Sequence, residues 1–218
     1  MGSATRFDGA PFSLLETMRL EQGRVARLER HLARMAGAAR HFGYEWADAR
    51  IRETIAARAR EHPEGCWRVR LLVSADGRPT IECTPHLEEA RVWRVDFADE
   101  PVDALDPFIL HKTTRRGIYE NARRSRPDAD DVLLWNARGE VTESTIANVV
   151  AELDDVRYTP PIACGLLGGT FRAEQLDAGT IRERVLTKAD IASASQLWLI
   201  NSVRGWVKAE LESEASRL

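Results

Sequence analysis

Four stretches of this sequence combine residue types that could do chemistry together. The first is Leu110-His111-Lys112-Thr113-Thr114-Arg115-Arg116. A lysine attacks a carbonyl carbon only when its amine is neutral, which calls for partial desolvation or nearby cations. The apolar Phe108-Ile109-Leu110 predicts a buried strand end from which Lys112 emerges, and Arg115 and Arg116 supply the cations. The second stretch, Gly139 to Asn148, sets Thr142, Glu143, Ser144, Thr145 and Asn148 as a polar island between two apolar runs. Its ordinary reading is a turn capped by its own side chains; its functional reading is a carboxylate, Glu143, aimed at a cofactor. The third, Cys164-Gly165-Leu166-Leu167-Gly168-Gly169-Thr170-Phe171-Arg172, puts glycines just before a helix. There, backbone N–H groups and the helix dipole suit an anion such as a phosphate. The fourth, Asn201-Ser202-Val203-Arg204-Gly205, ends a strand with hydroxyl and amide donors.

These stretches need a scaffold, and hydrophobic spacing outlines one. Ser13 to Leu20 reads as a strand and Glu21-Gln22-Gly23 as a turn. Leu28, His31, Leu32, Met35, Ala38, Ala39 and Phe42 recur at helical spacing, so Leu28 to Phe42 is expected to be an amphipathic helix closed by Gly43. Asp48 to His62 reads as a second helix with Asp48 as its N-cap. Trp67 to Val73 and Pro79 to Thr84 alternate around Asp76-Gly77 as a hairpin, and Arg91 to Phe97 reads as a third strand. The acidic, proline-containing Ala98 to Pro107 is expected to connect a small α+β domain, residues 1–107, to a larger one, residues 108–218. In the latter we expect a helix at Thr113 to Arg124 and strands at Asp131 to Asn136 and Ala147 to Leu153. A helix at Thr170 to Ala178 and a strand at Gln196 to Asn201 complete the scaffold. The fold class is α+β.

Composition narrows the function. Of 218 residues, 44% are hydrophobic and 30% charged, enough for a packed core. With 31 basic and 34 acidic residues the net charge is −3, and no basic stripe offers itself to nucleic acid. No apolar run is long enough for a membrane span, and Met1 to Phe7 lacks the apolar core of a signal peptide, so a cytoplasmic location is expected. Cys66, Cys83 and Cys164 are widely spaced and read as small buried hydrophobes. The five histidines show no metal-ligand spacing, so no metal is expected.

In order and spacing, the four stretches resemble the class IV aminotransferases, the fold-type-IV enzymes that use pyridoxal 5′-phosphate (PLP). The resemblance runs from Leu15-Glu16-Thr17-Met18-Arg19 through Arg30-His31-Leu32-Ala33-Arg34-Met35 to Asn201-Ser202-Val203-Arg204-Gly205. It is strongest at Val141-Thr142-Glu143-Ser144-Thr145-Ile146-Ala147-Asn148, Thr159-Pro160-Pro161 and the glycine-rich segment. It implies a two-domain fold like that of D-amino acid aminotransferase. Only about a dozen residues precede Leu15, so a shortened N-terminal domain is expected.

The resemblance also implies roles. Lys112 would carry PLP as a Schiff base and act as the catalytic base. Glu143 would face the pyridinium nitrogen, whose protonation makes the ring an electron sink. Arg34, with Leu167, Gly168, Gly169, Thr170 and Ser202, would hold the phosphate, and Asn148 would lie near the ring. Arg70, which shares a strand face with Arg68, is the leading candidate for a substrate carboxylate, ahead of Arg19 and Arg116. The trimmed start, with His-Lys-Thr-Thr-Arg-Arg and Ile-Asn-Ser-Val-Arg-Gly-Trp, is similar to the lyase module fused to some aminodeoxychorismate synthases. That similarity implies a 4-amino-4-deoxychorismate lyase, forming 4-aminobenzoate and pyruvate for folate synthesis, as a homodimer. Alternatives are an aminotransferase acting on a branched-chain or D-amino acid and a non-catalytic relic of the same fold.

Overall fold

The structure, a computed structural model, describes residues 11–87 and 91–212, so the leader question at Met1 to Phe7 lies outside the described residues. Among those residues, one compact unit takes 11–87 with His111–Arg115, and the other takes 91–110 and 116–212. The division therefore does not fall at 107/108, where the acidic connection suggested it.

The first unit is an antiparallel sheet with two helices. Strand β1 (Leu14–Glu21) pairs with β2 (Arg24–Val25) on one side and β3 (Cys66–Val73) on the other; β3 pairs onward with β4 (Pro79–Pro85). Helix α1 (Leu28–Phe42) turns His31, Leu32, Met35, Ala38, Ala39 and Phe42 inward, as the spacing required. Each large apolar side chain so buried contributes about 1.5–3 kcal/mol. Helix α2 (Asp48–Glu61) starts one residue earlier than a cap at Asp48 would allow. Ala47 occupies the cap position, and the Asp48 carboxylate instead takes the Arg52 Nε–H four residues on, at 2.7 Å.

The second unit is built on an eight-stranded sheet of order β10-β9-β8-β11-β12-β5-β6-β7. Its elements in chain order are β5 (Trp93–Phe97), α3 (Pro107–Leu110), α4 (Gly117–Ser125), β6 (Asp131–Trp135), β7 (Val141–Ser144) and β8 (Asn148–Leu153). After β9 (Val156–Thr159) and a 3₁₀ turn at Ile162–Cys164 come α5 (Thr170–Asp177), β10 (Arg182–Glu183), α6 (Lys188–Ser193), β11 (Gln196–Asn201) and β12 (Gly205–Leu211). Strand β5 pairs in parallel with both β12 and β6, so the expected third strand of the first half is a central strand here, and begins at Trp93. Strands β7 and β8 are far apart in sheet order yet only three residues apart in sequence. The Ser144 N–H donates to the Ala147 carbonyl across that link (2.8 Å), so the sheet curls until its β7 edge returns to β8. Val95, Leu133, Val141, Val149 and Leu199 fill the interior.

Two local expectations around Lys112 are corrected. Phe108-Ile109-Leu110 is a helical turn, not a strand end, because the Asp106 carboxylate accepts the Phe108 N–H (2.7 Å) and its carbonyl accepts the Leu110 N–H (3.2 Å). The helix expected from Thr113 begins at Gly117. Residues 112–114 instead lie along β1, tied to it by one antiparallel bridge and two backbone hydrogen bonds. Leu15 N–H donates to the Lys112 carbonyl (3.0 Å), Thr114 N–H donates to the Ser13 carbonyl (2.9 Å), and Leu14 bridges Thr113.

Candidate active site

In the first unit, β1 holds two of the candidate residues by different means. Its backbone fixes Lys112 through Leu15, which leaves the lysine half-buried. Its one inward acid, Glu16, fixes Arg34. The Arg34 Nε–H donates to Glu16 Oε1 (2.8 Å) and Nη2 donates to Oε2 (2.6 Å), while His31 Nδ1 lies 2.7 Å from Oε2. Arg34 is therefore a half-buried guanidinium held by a bidentate carboxylate pair, not an exposed helix charge. The strand announces this in sequence: Leu14, Glu16, Met18 and Leu20 share one parity, and all four are 0% exposed. A charge on the buried parity of a strand needs a partner, and Glu16 was not singled out from the sequence.

Register places the proposed carboxylate binders on the other face. Arg70 pairs across from Thr17, and Arg68 from Arg19, so these side chains share the face opposite Glu16. Arg19 also donates through Nε to Glu21 at 3.0 Å. The structure thus separates Arg34 from Arg70 and Arg19 by the thickness of the sheet.

Glu16 makes a pH prediction. Burial alone would raise its pKa, but the charges of Arg34 and His31 and their hydrogen bonds override burial and hold it at about 2. Burial pushes His31 below its ordinary value, so the permanently charged Arg34 is the partner that counts. A carboxylate lowered on folding contributes stability that is complete above the unfolded value of about 4.5 and lost as pH falls toward 2. On the order of 3 kcal/mol is at stake. We expect Glu16→Gln to lower stability at pH 7 by a similar amount and to flatten the acid limb of a urea-unfolding pH profile. A variant profile parallel to the parent's between pH 5 and pH 2 contradicts this.

In the second unit, Glu143 is 4% exposed on β7, and the Tyr119 hydroxyl donates to its Oε1 at 2.8 Å. Tyr119 is itself 7% exposed among Ala98, Val102, Ile109, Val132 and Leu134. Burial, with the adjacent Glu143 charge, drives the phenol pKa well above its ordinary value, so it remains a neutral donor. Arg116 lies over the same ring, its Cζ 4.4 Å from the centroid, and its Nη2 donates to the Thr145 carbonyl at 2.5 Å. Its guanidinium is therefore anchored beside β7, which weakens its case as a carboxylate binder. No sequence spacing pointed from Tyr119 to Glu143, which lie 24 positions apart and meet only through the fold.

The glycine-rich loop is set by Asn148. The Asn148 Nδ2 donates to the Leu167 carbonyl (2.9 Å), and a Cβ on Gly169 would sit 1.9 Å from Asn148 Oδ1. Asn148 thus shapes the loop that opens α5, a positioning task the sequence reading did not give it. Gly165, at φ 90°, passes so close to Ala104 that a Cβ would come within 2.3 Å of its Cα. Thr170 is buried at the first turn of α5, and Gly168 and Leu167 are half-buried before it. Ser202 is buried in the β11–β12 turn, one residue after Asn201; β11 pairs Ile200 with Asn148, so this turn and the loop share one end of the sheet. Arg172 anchors α5 from below, donating to the Pro160 carbonyl (2.7 Å) and to Glu183 (2.6 Å). Gly169→Ala forces Asn148 off the Leu167 carbonyl, since the carboxamide is buried and cannot swing into solvent. We expect it to weaken binding of a phosphate ligand about tenfold or more while the protein still folds. Equal affinity in a fluorescence titration would contradict the assignment of this loop.

The remaining candidates are quieter. Cys164 is buried, and burial raises its thiol pKa to about 11, but Cys66 and Cys83 are half-buried rather than core residues. Among the described residues, no three His, Cys, Asp or Glu side chains gather closely enough to hold a metal ion. Among them, no helix is long and apolar enough to cross a membrane.

The family described as "Amino-transferase class IV" matches residues 13–210. A Schizosaccharomyces pombe protein named "Putative aminodeoxychorismate lyase" is 34% identical over 209 residues, covering 91% of this chain and 89% of that protein. A solved Mesorhizobium loti structure described as a "Putative amino-acid aminotransferase" is 38% identical, with a TM-score of 0.86 over 92% of this chain and 100% of that one. The 4-amino-4-deoxychorismate lyase of Pseudomonas aeruginosa shares the fold at 21% identity, with a TM-score of 0.76 over 91% of this chain and 82% of that one.

Proposed function

We propose, since this chain belongs to the class IV aminotransferase family, that it is a 4-amino-4-deoxychorismate lyase, releasing 4-aminobenzoate and pyruvate. The family fold is the α+β, fold-type-IV architecture, and its cofactor is PLP. The residues present fit that group. The half-buried Gly168 and Gly169 lead into the first turn of α5, a setting whose backbone N–H groups suit an anion, and a buried carboxylate at Glu143 suits a protonated ring nitrogen. The second of these, a buried acid whose Oε1 is held by the Tyr119 hydroxyl, is the observation that carries the reading.

PLP supplies, when bound, a protonated ring that accepts the electron pair left by a departing proton. The chain's own residues do the rest. Arg34, Leu167, Gly168, Gly169, Thr170 and Ser202 would bind the phosphate, and Asn148 would keep the loop open for it. Glu143 would keep the ring nitrogen protonated. Lys112 would hold the cofactor through Nζ, and the same amine, when free, would take the proton from the substrate ring carbon that bears the amino group. The same ammonium would return a proton to the enolpyruvyl methylene as the ring–oxygen bond breaks and pyruvate leaves. The remaining ring becomes aromatic, which supplies the driving force. Arg70, half-buried on a face without Glu16, is the preferred partner for a substrate carboxylate.

A second reading, amino-group transfer between an amino acid and a 2-oxo acid, is favoured by the name of the Mesorhizobium loti relative. Both reactions use the same proton-shuttling lysine. The deciding experiment offers the PLP-loaded protein aminodeoxychorismate in one vessel and amino acid with 2-oxo acid in another. The lyase reading expects 4-aminobenzoate and pyruvate in the first. Amino transfer in the second with none in the first replaces it, and a protein that takes up no PLP restores the relic reading. A cytoplasmic homodimer is the form we propose, on the grounds of family likeness, and sedimentation velocity measures its mass.

A further inference from the structure

The Tyr119–Glu143 hydrogen bond has a consequence for the ring nitrogen that the family likeness does not assign. Tyr119 sits in the first turn of α4, and Arg116 at the cap of that helix is pinned to the Thr145 carbonyl two residues beyond Glu143. Thr145 is in turn bonded through its N–H and its hydroxyl to the buried Asp131 carboxylate. The helix start is thereby fastened to both β6 and β7, with the phenol clamped between a guanidinium on its face and a carboxylate at its hydroxyl. Any buried hydroxyl needs a hydrogen-bond partner, and the one the fold supplies to Tyr119 is the acid read as facing the cofactor ring.

We propose that Tyr119 is a positioning residue for the cofactor's ring nitrogen, acting through Glu143, whose rotamer it fixes and whose negative charge it stabilises by hydrogen bonding. This rests on the reading of Glu143 as the partner of PLP. Donation from a neutral hydroxyl makes a carboxylate less basic and less free to turn. Without it, the acid either draws the ring proton toward itself or rotates away from the ring. Both changes leave the nitrogen less protonated.

The test uses the holoprotein loaded with [15N]pyridoxal phosphate. Tyr119→Phe keeps the ring beneath Arg116 and removes only the hydroxyl. We expect its ring-nitrogen resonance to move toward that of neutral pyridine, with kcat about tenfold lower. Glu143→Gln shifts the same resonance by itself, and the double variant moves no further, because the two act in series. A Tyr119→Phe resonance equal to the parent's, alongside a Glu143-dependent one, overturns the positioning role and leaves the cofactor reading standing. A resonance insensitive to Glu143→Gln, or no PLP uptake by the parent, overturns both. Additive shifts in the double variant assign Tyr119 an effect independent of Glu143 and also overturn the proposal.

Discussion

Lys112→Ala is expected to lose turnover by about a thousandfold or more, because one amine both holds the cofactor and moves the protons. The visible absorbance of the holoprotein disappears with it. The sequence makes a sharper version of the test possible, since it has only three lysines, Lys112, Lys188 and Lys208. Lys188 is the credible competitor. Burial lowers its pKa, and its Nζ lies 3.6 Å from the Trp135 ring centroid and 5.3 Å from that of Phe97. That is the signature of an ammonium packed on aromatic faces, a use that keeps its charge rather than spending it. Borohydride reduction followed by peptide mapping is expected to place the pyridoxyl label on the Lys112 peptide. A label on Lys188, or full activity in Lys112→Ala, would falsify the assignment.

The second large effect is expected at Glu143. Glu143→Gln keeps the shape and the Tyr119 contact but removes the charge that raises the ring nitrogen's affinity for its proton. A loss of about two pKa units at that nitrogen is about 2.7 kcal/mol, or about a hundredfold in rate. Single-turnover kinetics on the loaded variant should show this loss in the chemical step, with cofactor affinity far less affected, since the phosphate grip lies on a separate loop. A variant within twofold of the parent in that step removes Glu143 from the mechanism, whatever its stability. The drop is also expected to be larger than that of Tyr119→Phe, because Tyr119 acts only by way of this acid.

Periodicity was a faithful guide wherever one element settles its own fate. Helix α1 occupies Leu28–Phe42 and β11 occupies Gln196–Asn201, the expected bounds, since an apolar stripe and a two-sided buried run define them locally. The hairpin of β3 and β4 turns at Asp76-Gly77 for the same reason. Failures gather where a distant strand decides. The helix expected from Thr113 starts only at Gly117, because β1 holds Lys112 and Thr114 by backbone hydrogen bonds and bridges Thr113. Strand β5 looks like a continuation of the first half but pairs with β12, well over a hundred residues later. Helix α6 is too short for hydrophobic spacing to mark, and its signal in the sequence is the reciprocal capping box of Thr187 and Asp190. At the candidate site, residue types were legible and their partners were not. Glu143, Arg34 and Asn148 stood out by chemistry, whereas Tyr119, Glu16 and the Leu167 carbonyl that complete them are supplied only by the fold.

The rung formed by residues 111–115 on β1 has a bearing on how the chain is made. A ribosome delivers β1 early, but the five residues that flank its Leu14 and Leu15 emerge only after nearly a hundred more have been added. Until then the strand presents unmatched amide groups at that margin, where a wrong neighbour could pair. An N-terminal fragment cut near residue 88 would carry that defect permanently, and a synthetic peptide spanning 108–118, supplied in trans, should raise its solubility.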